Sequence, residues 1–198
     1  MTYILTAKVG TNADIFPSIL ALYARPRDKI ADVTYGKGVF WQQIDTDQYE
    51  CLFTDLADGV DMRDLPYDNE SMDMVIIDPP YIYNPKRTVK ASISDCYNIN
   101  ETLRLETNQD VLNLYLGGLQ EAHRVLRRRG FCIVKCQDVI QSGKQNWNHI
   151  SIYDDAIKSG FYPKDLFILV QQGVPASRWK HQLHARKNHS YFWVFQKQ

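Results

Sequence analysis

The stretch Met74-Val75-Ile76-Ile77-Asp78-Pro79-Pro80-Tyr81 shows how this chain is built. Its first four residues are apolar and are typical of a strand buried in a sheet. The strand then ends in an acid, two prolines that fix the backbone, and an aromatic ring. The sequence therefore predicts a sheet whose carboxyl edge carries a carboxylate, a rigid turn and a ring.

Such a turn suits methyl transfer to a planar exocyclic amine, for example N6 of adenine or N4 of cytosine. The amine is a poor nucleophile because its lone pair is delocalised into the ring. The carboxylate of Asp78 and the carbonyl of Pro79, stiffened by Pro80, could accept its two N–H bonds. The ring of Tyr81 could stack on an extruded base. Ordinary turns after strands use the same residue types, so both interpretations stay open at this point.

The composition indicates one globular domain. The chain has 198 residues, of which 44% are hydrophobic and 23% are charged, as is ordinary for a folded domain. No apolar run approaches the roughly 20 residues that span a bilayer, and residues 1–10 do not resemble a secretory signal. The four cysteines show no metal-site pairing, so we expect a cytoplasmic protein with reduced thiols.

The charges balance overall but are unevenly placed. The formal net charge is +0, which argues weakly against a dedicated nucleic-acid binder. From Leu166 to the end, however, the chain contains Arg and Lys but no Asp or Glu, whereas acids concentrate between Asp45 and Asp78. The local sign of the charge is therefore more informative than the total.

Apolar periodicity and turn residues divide the chain into alternating strands and helices, which predicts a mostly parallel sheet covered on both faces. Asp14 is the expected cap of the first helix, and the long second helix is expected to end with Arg127-Arg128-Arg129 before Gly130. The last two strands have no helix between them and could pair as an antiparallel hairpin at the sheet edge. Besides a short helix through Phe40 and Trp41, the expected helices are residues 14–24, 110–129 and 149–159. The expected strands are residues 29–33, 49–54, 73–77, 131–135, 166–170 and 190–195.

A strand, the glycine turn Asp32-Val33-Thr34-Tyr35-Gly36-Lys37-Gly38 and the Asp78-Pro79-Pro80-Tyr81 turn follow in this order. In this the chain resembles the class I methyltransferases that use S-adenosylmethionine. More narrowly, from about residue 14 to residue 195 it is similar to amino-methylating (N6-adenine/N4-cytosine) DNA methyltransferases. The resemblance implies an α/β fold, with a single Rossmann-like, doubly wound, mostly parallel seven-stranded sheet and an antiparallel last strand. It also implies S-adenosyl-L-methionine as the cofactor, and no metal.

The resemblance also implies a set of cofactor-binding residues. Glycines in the first loop let the backbone approach a ligand beyond the carboxyl ends of the strands. Asp32 would meet the amine of the cofactor, Asp55 would bind the two ribose hydroxyls, and Asp61 with Met62 would contact the adenine. The full set is Asp32, Thr34, Tyr35, Gly36, Gly38, Asp55, Asp61 and Met62.

Purely structural interpretations of these residues stay open. Asp55 could be a loop residue that only makes a turn, and Arg63 with Asp64 could form a surface ion pair of little energetic value. Gly36 and Gly38 alone would be weak evidence, because a pair of glycines is often just a turn.

Target recognition is where the chain departs from the family pattern, since most DNA methyltransferases of this kind carry a separate recognition domain. We expect residues 1–198 to form a single methyltransferase domain without one. Recognition then falls to residues 81–108, to the basic loop 173–188, or to a partner, including a second copy of the chain. In the basic loop, cations would neutralise phosphates and an aromatic ring would stack on bases. The expected nucleic-acid-binding residues are Arg178, Trp179, Lys180, Arg186 and Lys187.

The sequence favours an enzyme that methylates adenine N6 in DNA, because Asp at the first position of the turn leans towards adenine in this family. An RNA base amino-methyltransferase, acting on adenine N6 or guanine N2, is the first alternative. It ranks lower because the sequence shows no separate RNA-binding module. A non-catalytic nucleic-acid-binding relative is the second. Methylation of a protein glutamine amide is the third, although that chemistry is associated with Asn in place of Asp78.

Overall fold

A seven-stranded sheet forms the centre of the computed structural model, which describes residues 3–81, 105–173 and 182–198. The strands lie in the order β1-β8-β9-β5-β4-β2-β3. Strand β9 is antiparallel to both of its neighbours, and every other adjacent pair in this sheet is parallel. The strands are β1 (Ala7–Val9), β2 (Lys29–Asp32), β3 (Glu50–Phe53), β4 (Met72–Ile77), β5 (Leu126–Cys136), β6 (Val139–Gln141), β7 (Lys144–Asn146), β8 (Phe161–Val170) and β9 (His189–Lys197).

Helices cover both faces of this sheet. They are α1 (Asn12–Tyr23), α2 (Asn108–Val125) and α3 (Asn148–Lys158), with short 3-10 helices at Val39–Trp41, Thr46–Gln48 and Leu56–Asp58. Strands β6 and β7 form a separate antiparallel hairpin between β5 and α3. None of the described helices is long and apolar enough to cross a membrane.

Strand β4 shows why the sheet is doubly wound. Val75 and Ile77 belong to the core under α2 and α3, whereas Met74 and Ile76 belong to the core under α1. Successive side chains of a strand point to opposite faces, so four consecutive apolar residues require cover on both sides. The predicted α/β class, with a mostly parallel seven-stranded sheet and an antiparallel last strand, is thereby confirmed.

Two of the expected helix ends are wrong. Helix α1 begins at Asn12, two residues earlier than expected, with Thr11 instead of Asp14 as the N-cap and Asp14 as its capping-box partner at the third helical position. Helix α2 ends at Val125, and Arg127-Arg128-Arg129 belong to β5. The side chain of Arg127 forms an ion pair with Asp73 at the start of β4. Pairing with the neighbouring strand therefore outweighs the helical tendency of this segment.

The last strand pair does not lie at the sheet edge as expected. Strand β9 is inserted between β5 and β8, and β1, which the sequence did not predict, covers the outer side of β8. Strand β9 alternates between the two cores, with Phe192 on one face and Phe195 on the other. A strand buried on both faces is better satisfied inside a sheet, where both rows of backbone groups are also paired.

Candidate active site

A cavity of about 310 Å³ opens at the carboxyl ends of β2, β3, β4 and β5. This is the edge at which open α/β sheets bind ligands. Most residues predicted for the cofactor and for catalysis line this one cavity. They are Asp32, Thr34, Tyr35, Gly36, Asp55, Asp61, Met62, Asp78, Pro79 and Pro80.

Asp32 lies at the end of β2 as a buried carboxylate. It accepts a hydrogen bond from the indole N–H of Trp41 at 2.8 Å and from the backbone N–H of Thr34 at 3.2 Å. Burial, together with the nearby carboxylates of Asp78 and Asp55, raises the pKa of Asp32 to about 7, although these two hydrogen bonds act in the opposite direction. A cation placed in the cavity would therefore find a carboxylate that is ready to ionise.

The glycine turn places the backbone of Gly36 and the ring of Tyr35 at the wall of the cavity. Gly38 adopts a left-handed conformation with φ of 65°, and a Cβ at this position would lie 2.5 Å from the hydroxyl of Tyr35. The Tyr35 ring stacks on Phe53 of β3 with 4.4 Å between ring centroids. Gly38 therefore shapes the loop rather than lining the cavity, whereas Gly36 lines it.

Asp55 and Asp61 both line the cavity while keeping protein partners. Asp55 accepts hydrogen bonds from the backbone N–H groups of Gly36 at 3.1 Å and Ala57 at 3.0 Å. Asp61 accepts from the guanidinium of Arg63 at 2.9 and 3.1 Å, and this pairing lowers the pKa of Asp61. The ion pair that Arg63 makes is thus with Asp61, not with Asp64.

The catalytic turn is tied directly to the cofactor loop. The backbone N–H of Asp78 donates to the hydroxyl of Thr34 at 2.7 Å, and the backbone N–H of Thr34 donates to Asp32. These two hydrogen bonds fix the end of β4 against the end of β2. The Asp78 side chain is 16% exposed and lines the cavity with Pro79 and Pro80, so it does not point into a closed interior.

Lys135 is the functional candidate that sequence reasoning missed. Its ammonium donates to both carboxylate oxygens of Asp78, at 2.9 and 3.2 Å, and its side chain is only 5% exposed. The ammonium also lies 5.6 Å from the ring centroid of Tyr81 and 5.7 Å from that of Phe40. The available signal was a lysine at the end of the apolar strand β5, where a buried cation requires a partner.

The predicted nucleic-acid-binding residues are only partly described. Arg178, Trp179 and Lys180 lie outside the described residues, as does most of the predicted recognition segment 81–108. Arg186 and Lys187 precede β9, and the Lys187 ammonium lies 4.6 Å from the ring centroid of Trp147. Arg186 and Lys187 do not line the cavity. Within the described ranges, no group of three or more His, Cys, Asp or Glu side chains is placed so that it could hold a metal ion.

The cavity suits S-adenosylmethionine by the chemistry of its lining. Asp32, Asp55 and Asp61 supply carboxylate oxygens from three separate segments, and the cofactor offers an ammonium, a diol and an aromatic amine as donors. Met62 and Leu114 add an apolar wall beside them. The fold and this donor set together define a class I methyltransferase that depends on S-adenosylmethionine.

The chain belongs to the DNA methylase family (N6_N4_Mtase), whose family model matches residues 72–198. The matched part contains the Asp78-Pro79-Pro80-Tyr81 turn and Lys135, whereas the predicted cofactor loop precedes it. Among curated proteins, no sequence matches this chain.

Solved structures share the fold at low identity. TrmN from Thermus thermophilus has a TM-score of 0.56 at 16% identity, covering 93% of this chain and 48% of that chain. A SAM-dependent methyltransferase from Methanosarcina mazei has a TM-score of 0.51 at 9% identity, with coverages of 90% and 96%. The cyclase SpnF has a TM-score of 0.54 at 13% identity, with coverages of 93% and 81%. These likenesses show the fold alone, and the chain spans about half the length of TrmN.

Proposed function

We propose that the protein transfers the methyl group of S-adenosylmethionine to adenine N6 in DNA. The single observation that carries the proposal is the position of the Asp78 carboxylate. It lines the same cavity as the three carboxylates suited to the cofactor, on a turn hydrogen-bonded to the cofactor loop. The family match supports amino methylation at N6 or N4, and Asp78 at the head of the turn favours adenine over cytosine.

In this proposal, the cofactor is held by four residues of the cavity lining, Asp32, Asp55, Asp61 and Met62. S-adenosylmethionine supplies an electrophilic methyl group on a sulfonium. Asp32 holds the cofactor's ammonium, Asp55 its ribose hydroxyls, and Asp61 with Met62 its adenine. Carboxylates suit these donors because hydrogen bonds to a charged acceptor are about twice as strong as neutral ones.

The catalytic turn orients the target amine. Asp78 and the carbonyl of Pro79 accept its two N–H bonds, Pro80 keeps the turn rigid, and Tyr81 stacks on the extruded base. The amino nitrogen gains positive charge as the new bond forms, so hydrogen bonds to a carboxylate strengthen towards the transition state. Stronger binding of the transition state than of the substrate is what accelerates the reaction.

The proposal includes a single methyltransferase domain over residues 1–198. Arg186 and Lys187, at the same sheet edge as the cavity, would contact phosphates together with the rest of the basic loop. A homodimer or a separate partner protein would supply further contacts. A cytoplasmic location is supported by the free thiols of Cys51, Cys132 and Cys136.

Substituting Asp78 tests the proposal. We expect Asp78→Asn to bind S-adenosylmethionine nearly as well as the wild type while its methyl transfer falls at least about 100-fold, the size of effect seen when one charge-stabilising group is lost. Asp154→Asn is the matched control, because Asp154 is exposed on α3, away from the cavity. Calorimetry measures cofactor affinity, and mass spectrometry of digested nucleosides measures the methylated base.

The substrate arms of this experiment separate the alternatives. Equal amounts of DNA and RNA compete for methyl transfer, and N6-methyladenine in DNA is the expected product. N4-methylcytosine, or methylation of RNA alone, would overturn the proposed substrate while leaving amino methylation intact. Wild-type activity in Asp78→Asn would overturn the role of the turn, and cofactor binding without transfer to any nucleic acid would indicate a non-catalytic relative.

A further inference from the structure

The Lys135 ammonium is a buried donor at the wall of the cavity. Strand β5 places Lys135 at the same edge as Asp78, 57 residues away in the sequence. Its side chain is 5% exposed and lines the cavity. Because Asp78 lines the same cavity, the Lys135 ammonium can contact both its ion-pair partner and a ligand bound there.

Hydrogen-bond capacity remains on both members of this pair. An ammonium carries three N–H donors, and Lys135 directs two hydrogen bonds to the oxygens of Asp78. A carboxylate offers about four acceptor positions, so Asp78 retains acceptors for a ligand. The pair therefore presents to the cavity one N–H donor of Lys135 beside an acceptor oxygen of Asp78. The distance from Nζ to the nearer oxygen is 2.9 Å.

We propose that Lys135 and Asp78 together read the edge of the target base. Asp78 accepts from the exocyclic amino group, and Lys135 donates to the unprotonated ring nitrogen next to it, which is N1 in adenine. Adjacent donor and acceptor atoms of a side-chain pair match an adjacent acceptor and donor of a base edge, by the same logic as amide side chains that recognise adenine. This inference rests on the proposed function and adds a residue that determines substrate specificity.

The pairing makes the ring nitrogen part of the recognition. A base that places C–H or N–H at this position leaves a buried ammonium donor without an acceptor, which is costly. Donation to the ring nitrogen also draws electron density away from the amine. The contribution of Lys135 is therefore orientation of the amine in the plane of Asp78, and not activation of its lone pair.

Removing the ring nitrogen and the lysine in turn gives a sharp test. The substrates are single-stranded oligonucleotides with either adenine or 1-deazaadenine at the target, since single strands avoid differences in base pairing. For the wild type, we expect kcat/KM to fall about 10- to 100-fold with 1-deazaadenine, as for loss of a hydrogen bond to a charged group. For Lys135→Met, the two substrates should differ by less than about threefold.

Two further variants complete the comparison. Lys135→Gln keeps a donor without the charge and should retain part of the preference for adenine. Lys37→Met is the matched control, because Lys37 lines the cavity but is exposed and carries no part in this pairing. It should keep the wild-type ratio between the two substrates, whatever its absolute rate.

Each outcome bears on a different statement. Absence of methylation of any base by the wild type would overturn the proposed function. Comparable kcat/KM values for the two substrates in the wild type would overturn the proposed hydrogen bond to N1 but not the proposed methyl transfer. This result would stand even if Lys135→Met failed to fold. An unchanged ratio in a folded Lys135→Met would show that Lys135 only supports Asp78. If the product is N4-methylcytosine, the same comparison of wild type and Lys135→Met uses cytosine and 3-deazacytosine as the two target bases.

Discussion

At the scale of single residues, the site is governed by carboxylates that line one cavity. Burial raises the pKa of Asp78, whereas the ammonium of Lys135 acts in the opposite direction. Asp32 has no cation among its described partners, and its pKa is raised to about 7. A cationic ligand stabilises the ionised form of a buried carboxylate such as Asp32, because the ligand supplies the missing counter-charge.

The affinity for S-adenosylmethionine should therefore depend on pH. Asp32 is mostly protonated below its pKa, so binding of the cofactor's ammonium should strengthen roughly tenfold as the pH rises from about 5.5 to about 7. Calorimetric titration across this range measures the change. The comparison stops near neutral pH because amino groups begin to lose their protons above it.

Two variants identify the group that titrates. Asp32→Asn removes the ionisable group and should bind the cofactor weakly, with little change over this range. Asp78→Asn should still bind the cofactor more strongly as the pH rises, but over a lower pH range, because the Asp78 carboxylate helps to raise the pKa of Asp32. A rise that persists in Asp32→Asn would show that another group binds the ammonium.

At the scale of elements, the turn after β2 is shaped by packing as well as by glycine. Gly38 needs a left-handed backbone and also leaves room for the Tyr35 hydroxyl, which a Cβ would approach to 2.5 Å. The Tyr35 ring cannot move freely because it stacks on Phe53. The shape of the cofactor loop is therefore fixed partly by a neighbouring strand.

Gly38→Ala and Gly59→Ala separate these two contributions. Gly59 also has a positive φ, of 84°, but a Cβ there would meet nothing within 4 Å. We expect Gly59→Ala to cost about 1–2 kcal/mol from backbone strain alone and to leave cofactor affinity close to that of the wild type. Gly38→Ala should cost at least about 1 kcal/mol more from the clash and should weaken cofactor binding, because Tyr35 lines the cavity. Urea denaturation and calorimetry measure the two effects, and equal costs would contradict the role of Tyr35.

At the scale of the whole molecule, the described groups with proposed roles share one edge of the sheet. Strands β2, β3, β4 and β5 end at this edge, and the antiparallel strand β9 begins there. Trp147, before α3, and Lys187, before β9, meet at the same edge. Under the proposed function, we expect a nucleic acid that delivers a base to the cavity to contact these residues.

Removing Lys187 should weaken nucleic-acid binding in a salt-dependent way. For Lys187→Ala, the slope of log K against log salt should become shallower by about 0.7–0.9, the value for one phosphate contact. Lys158→Ala is the control, because Lys158 is 74% exposed in the last turn of α3, near the opposite edge of the sheet. Fluorescence anisotropy at several salt concentrations measures both slopes, and equal slopes for the two variants would place the binding surface elsewhere.

The sequence by itself determined the class of the fold and most of the cavity lining. The apolar run of β4 and the glycine turn have local signatures, so Asp32 and Asp78 could be placed at the carboxyl ends of strands. The capping of α1 and the end of α2 were predicted less well. Arg127 looked helical, but its ion pair with Asp73 lies in the sheet.

Only the tertiary structure decided which distant groups meet. The order of strands in a sheet is not written in any local pattern, so neither β9 inside the sheet nor β1 at its edge could be predicted. The partner of Lys135 could not be predicted either, because Asp78 lies 57 residues away and the two meet through the pairing of β4 with β5. Local sequence fixes the geometry of a turn, whereas long-range strand pairing decides which buried charges face each other.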